Sequence, residues 1–134
     1  MFNKNQYFNN HFKELLTEEE TYNHYFYVMS MAPLTKYLMF QQFAVLMNKH
    51  MAVSFTNKRI IICEMDSITG KFTEGLFDIN LSDVKNVSLK KGLLKTKINI
   101  TFSDDSGIML KPNNFCIGLS NHKQNLTKLM KLYQ

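Results

Sequence analysis

Arginine is nearly missing from this chain: of sixteen basic residues only Arg59 is an arginine, and the rest are lysines. Bidentate recognition of bases and phosphates favours the planar guanidinium fork. A net charge of +5 carried on scattered ammonium groups therefore points away from nucleic acid and toward a solubilising surface. Cysteine is equally scarce. Cys63 and Cys116 stand in no C-x-x-C or Cys/His spacing, which argues against a disulfide framework and makes a reducing cytoplasm the expected setting. No apolar run reaches the roughly 18 to 20 residues of a membrane span. The opening Met1-Phe2-Asn3-Lys4-Asn5-Gln6 lacks the apolar core of an export signal.

The motifs of common chemistry are missing as well. There is no G-x-x-x-x-G-K-[ST] loop and no G-x-G-x-x-G after a strand. His11, His24, His50 and His122 are dispersed, with no pair at i, i+3 or i+4, so surface or strand histidines are expected rather than metal ligands. The acids Glu18 to Glu20, Asp66 and Asp104-Asp105 fall at helix ends and turns, where solvated carboxylates are the rule. Nothing lowers the pKa of Cys63, which reads as a packed thiol. The reading is of a chain that is no enzyme and needs no cofactor or metal.

What is present is apolar bulk: 45% hydrophobic residues, with eleven Phe, six Tyr and nine Met in 134 residues. A chain of this length makes one domain and can bury roughly two thirds of its unfolded surface. Its centre is Met51 to Cys63, two β-rich runs around Asn57-Lys58, where Asn tolerates the positive φ of a tight hairpin. With Thr56 opposite Arg59, Phe55 faces Ile60 and Val53 faces Ile62. That register puts four large apolar side chains on an inward face, with Ser54, Thr56 and Arg59 on the face expected to look outward.

In order along the chain, residues 1 to 10, with four Asn and a Gln, read as a loose lead-in. Phe12, Leu15 and Leu16 suggest a short helix over 10–20 that frays at its acidic end. Thr21 to Met29 is crowded with aromatics and reads as a first strand, stopped by Pro33. Leu34 to Asn48 is apolar nearly all round. As a helix it packs on the sheet and into a dimer interface, or it leaves Tyr37, Phe40, Phe43 and Met47 as an apolar face for a membrane or partner; two strands are a further alternative. Later strands are expected over 71–81 (Phe77, Ile79 and Leu81 on one face), 84–90, 94–103 (Ile98, Ile100 and Phe102 inward) and 108–111. Ser120 or Asn121 then caps a helix that buries Leu126, Leu129, Met130 and Tyr133.

The run Val53-Ser54-Phe55-Thr56-Asn57-Lys58-Arg59-Ile60-Ile61-Ile62 resembles the Thr-Asn-Lys-Arg hairpin of bacterial pleckstrin-homology-like (GRAM-like) domains. Ile79-Asn80-Leu81-Ser82-Asp83-Val84 is similar to that family's I-x-L-S-D-I segment, and Lys91-Gly92-Leu93-Leu94 to its Gly-Leu-Leu hairpin. The resemblance implies an α+β, mainly β fold: a bent antiparallel sheet or partly open barrel of about seven strands with a C-terminal capping helix. The domain would span residues 21–134, with an apolar helical insertion at 33–48, behind an N-terminal segment 1–20. It also implies roles in lipid-headgroup binding, protein docking or oligomer formation. Tyr22 to Ser30 holds no Lys or Arg, so a phosphoinositide signature is not among the implied features.

One electrostatic feature stands out, the hairpin bearing Lys85, Lys90, Lys91, Lys95 and Lys97. It is either a solvated edge that discourages strand addition or an anionic-surface patch, each Lys near such a surface being worth about 1 kcal/mol. Single-stranded nucleic acid would want aromatics among the lysines, and there are none before Phe102. Two functions are expected: a non-catalytic module docking a protein partner or a second copy of itself, or a module held at the inner face of a membrane by the lysine hairpin and the apolar helix.

Overall fold

Asn3 starts the first helix by accepting the Gln6 N–H on its side-chain oxygen at 3.0 Å, satisfying one of the donors a helix start leaves open. The computed structural model describes residues 3–33, 46 and 49–134. Helix α1 spans Lys4–Leu15, so it occupies much of the stretch expected as a lead-in and ends before the acidic run. Phe8 and Phe12, one turn apart, are fully buried and hold it in place. Leu16 is already extended, so Glu18 to Glu20 lie beyond the helix and do not oppose its dipole.

Eight strands follow among the described residues: β1 (His24–Val28), β2 (Met31–Pro33), β3 (His50–Phe55), β4 (Arg59–Met65), β5 (Phe72–Asn80), β6 (Val84–Lys91), β7 (Thr96–Phe102) and β8 (Gly107–Leu110). Among the described residues they form two four-stranded antiparallel sheets, β1-β3-β4-β5 and β2-β8-β7-β6, that do not close into a barrel. The strand beyond the expected seven comes from a corner. The expected first strand, Thr21 to Met29, gives β1; the chain then turns at Met29-Ser30 and adds β2 on the edge of the second sheet, paired with β8. Pro33 ends β2, an edge position where its missing N–H is tolerated.

The central hairpin has the expected register, with Phe55 opposite Ile60 and Val53 opposite Ile62, and the Thr56 N–H donates to the Arg59 carbonyl at 2.9 Å across the two-residue turn. These side chains, with Phe26 and Ile79, meet Ile98, Ile100, Phe102, Ile108 and Leu110 of the other sheet in the main core. Helix α2 (Asn121–Leu132) closes one side through Leu126 and Leu129, and Leu46 is buried in the same cluster. Tyr37, Phe40, Phe43 and Met47 lie outside the described residues.

The face expected to look outward is also buried. Ala52, Ile61 and Cys63 form a second core with Phe8, Phe12 and Tyr25, and Ser54 and Thr56 are fully enclosed. The correction has a simple cause: α1 lies across this face, so β3 and β4 are covered on both sides. Burial pushes the Cys63 thiol up to about 12, and it sits 3.3 Å from His11 Nε2. Where the second core meets solvent, Arg59 forks onto Glu20, with Nε 3.1 Å from Oε2 and Nη2 3.0 Å from Oε1, and Nη2 also donates to the Leu15 carbonyl at the end of α1.

Candidate functional site

The β6–β7 hairpin turns on Gly92, whose N–H donates to the Lys95 carbonyl at 2.8 Å. A side chain there would meet that carbonyl at 2.9 Å, so the tight tip requires glycine. The tip lifts Leu93 and Leu94 into solvent, 94% and 76% exposed. It is not loose. The Asn114 side-chain N–H group donates to the carbonyls of Gly92 (3.0 Å) and Leu93 (3.3 Å), its own N–H donates to the Leu94 carbonyl (2.9 Å), and the Thr96 hydroxyl donates to its Oδ1 (2.6 Å).

Asn114 belongs to the connection between β8 and α2, and this connection is pinned in turn. The Tyr27 N–H donates to His122 Nδ1 at 3.1 Å, so that nitrogen carries no proton; Nε2 does, and donates to the Asn113 carbonyl at 2.6 Å. Burial holds His122 below the usual imidazole range, against the opposing effect of the Asn113 bond. The same connection exposes Phe115 and Ile117. Beside it, at the Met29-Ser30 corner, opens a cleft of about 580 Å³ lined by Met29, Met31, Met109, Phe115 and Ile117 and by Lys4, Lys95 and Lys111, without an Asp or Glu. Lys4 comes from α1, and its Nζ donates to the Ile117 carbonyl at 3.4 Å.

The five lysines expected as one patch divide three ways. Lys90 and Lys97 are direct cross-strand neighbours, and alternation puts Lys95 on the side of Lys97, at the cleft. Lys91 lies toward α2, beside Lys123 and Leu126. Lys85 stands apart in an ion pair with Asp105 at 2.5 Å. Like charges opposite each other in a ladder are destabilising. Lys90→Glu is therefore expected to raise stability by about 0.5 to 1 kcal/mol, measured by urea unfolding, because it turns that repulsion into attraction. An unchanged or lower midpoint would show that the two ammonium groups do not feel each other.

A sequence profile of the family described as "Bacterial PH domain" matches residues 16–133. The chain belongs to that family. As a PH domain it is a module of the kind that mediates protein or lipid interaction. Its fold is similar to the hSac2 domain from human phosphoinositide phosphatase Sac2, with a TM-score of 0.51 at 11% identity over 96% of this chain and 78% of that one. The PH domain of USP37 is also similar, with a TM-score of 0.41 and 11% identity over 80% of this chain and 94% of that chain. No curated protein matches the sequence. The matched span leaves out all of α1, so the helix that covers the outer face of β3 and β4 and supplies Lys4 to the cleft lies outside the family pattern.

Among the described residues of this PH domain, no three of His, Cys, Asp or Glu gather where a metal ion would bind. None of its described helices is long and apolar enough to cross a membrane. Sequence reasoning found Lys95 but missed Lys4 and Lys111, which come from other elements. It also met Leu93 and Leu94 only as hairpin residues. A signal was there: two leucines between Lys91 and Lys95, beside a glycine turn, where alternation has no partner strand to bury them.

Proposed function

We propose that this PH domain is a non-catalytic peripheral membrane module that sets the Gly92 to Lys95 tip, with Phe115 and Ile117 beside it, into an anionic lipid surface. The observation that supports this reading best is the pair of exposed leucines, Leu93 and Leu94, on a tip braced by Asn114 and flanked by lysines. Exposed apolar residues gathered in one place mark an interaction surface. Of the eight large hydrophobics exposed among the described residues, five (Met29, Leu93, Leu94, Phe115 and Ile117) belong to the tip, the corner and the connection beside them. The charge fits the same partner. Lys90, Lys91, Lys95 and Lys97 each contribute about 1 kcal/mol near an anionic surface, and an immersed leucine adds roughly 1.5 to 3 kcal/mol. Free thiols are consistent with work at the inner, reducing face of a membrane.

The test is sedimentation of the full chain with vesicles of phosphatidylglycerol mixed with phosphatidylcholine, at low and high salt. Pelleting at low salt, release at high salt, and little pelleting with pure phosphatidylcholine are expected, because exposed charges are screened. A chain that stays in the supernatant at low salt overturns the membrane reading and leaves protein docking through the same tip.

A further inference from the structure

We propose that the cleft at the Met29-Ser30 corner holds one anionic amphiphile, a phosphate or carboxylate head joined to an alkyl chain. This deepens the membrane reading, and rests on it for the biological source of the ligand. The chemistry of the walls is divided in the way such a molecule requires. Met29, Met31, Met109, Phe115 and Ile117 offer apolar and adaptable surface, methionine being the side chain that best moulds to a flexible chain. Lys4, Lys95 and Lys111 supply positive charge, and no carboxylate lines the cleft to neutralise it. Lys95 and Lys111 form no ion pair among the described residues, although Lys49, Arg59 and Lys85 do.

Two of the polar side chains beside the lysines are committed elsewhere. His122 has both ring nitrogens engaged, by the Tyr27 N–H and the Asn113 carbonyl, and the Tyr27 hydroxyl is paired with His50. The charge left for a ligand is therefore the lysines'. At about 580 Å³ the cleft falls within the usual size of small-molecule sites. A neutral lipid would leave the ammonium groups without a partner, and a free phosphate would leave the apolar wall uncovered. An amphiphile with an anionic head satisfies both.

Calorimetric titration of the full chain with monomeric dodecyl phosphate tests this, with dodecyl maltoside and inorganic phosphate as the neutral and chainless probes. One dodecyl phosphate per chain is expected, at least about tenfold tighter than either of the others, which is the weight of one well-placed charge or a short run of buried methylenes. Lys95→Ala with Lys111→Ala should weaken it about tenfold or more. Lys85→Ala, remote from the cleft, should leave it unchanged, and thermal melts show that each variant folds. No binding, equal binding of dodecyl maltoside, or full binding by the double variant overturns the proposal. The titration contains no bilayer, so its failure leaves vesicle adsorption standing, and failure to pellet with vesicles does not touch it. Adding phosphatidylglycerol vesicles to the loaded chain tells the sources apart. Displacement of dodecyl phosphate identifies a bilayer lipid as the occupant, and retention identifies an amphiphile taken from solution; either supports the site.

Discussion

Arg59→Ala should be the most damaging single substitution of a polar residue in this chain, lowering stability by about 3 to 5 kcal/mol. That is the range seen when one partner of a buried ion pair is removed and the other charge is left behind. The partner is Glu20, whose side chain is 1% exposed. Burial alone would raise its pKa. The hydrogen bonds from Arg59 and Thr56 and from the Thr17 N–H, together with the charge of Arg59, outweigh that and hold the carboxyl at about 2. The same guanidinium bonds the Leu15 carbonyl and pairs with Asp78 at 3.0 Å, so its loss also loosens the end of α1. For a domain of this size the melting midpoint should fall by on the order of 15 °C.

The pH dependence follows from the same carboxyl. Its folded pKa lies below its ordinary value of 4.5, so the folded state prefers it ionised. The contribution is present in full above pH 4.5 and is lost as pH falls toward 2, amounting to on the order of 3 kcal/mol. In Arg59→Ala this acid-linked loss should shrink, because much of it is already missing at neutral pH. Glu20→Gln on top of Arg59→Ala should recover part of the stability, by removing the stranded charge. Urea unfolding of the wild type, Arg59→Ala, Glu20→Gln and the double variant at pH 7 and pH 3 measures the coupling as a double-mutant cycle. Additive effects would show that Glu20 and Arg59 do not depend on each other.

Replacing Leu93 and Leu94 by serine should cause the largest loss of function, weakening adsorption to anionic vesicles about a hundredfold. The two side chains are worth roughly 3 to 6 kcal/mol when fully immersed; tip insertion is partial, and about 3 kcal/mol corresponds to that factor. Folding should be untouched, because both side chains already stand in water and the Gly92 and Asn114 contacts that shape the tip are made by backbone carbonyls. The four tip lysines remain in this variant, so residual binding should be weak and wholly salt-sensitive. Wild-type affinity after this change would mean that the tip does not enter the bilayer.

Much of the fold could be read from the residues themselves. Period-two alternation in Val53 to Ile62 and in Ile98 to Phe102 has one solution when one face must be buried, and the hairpin register follows from a two-residue turn. Helix α1 was harder. Phe12 pointed to a helix but Phe8 is hidden by Asn-rich surroundings, and both become anchors only because another strand face, made by residues forty or more positions later, needs a cover. The Glu20–Arg59 pair was hidden in the same way: Glu20 is one acid in a run of three, and only the path of the chain singles it out. At the site, the lysine hairpin was legible as local charge. The cleft was not, because Lys4, Lys95 and Lys111 lie on separate segments that no local pattern connects. The corner at Met29-Ser30, after which the chain adds a short strand to the second sheet, likewise depends on where β8 lies to receive it.

The central claim is that the Leu93-Leu94 tip is the part of this PH domain that enters an anionic membrane. An environment-sensitive fluorophore attached at Leu94→Cys in a Cys116→Ser background tests it most directly, since Cys63 is buried with its thiol at about 12 and will not compete for label. The reference is the same label at Leu76→Cys on β5. On adding phosphatidylglycerol vesicles at low salt, the label at 94 should shift to the blue and be quenched by spin-labelled lipid, while the label at 76 stays in water. A bound protein whose label at 94 remains in water, or whose label at 76 is the one quenched, would contradict the account.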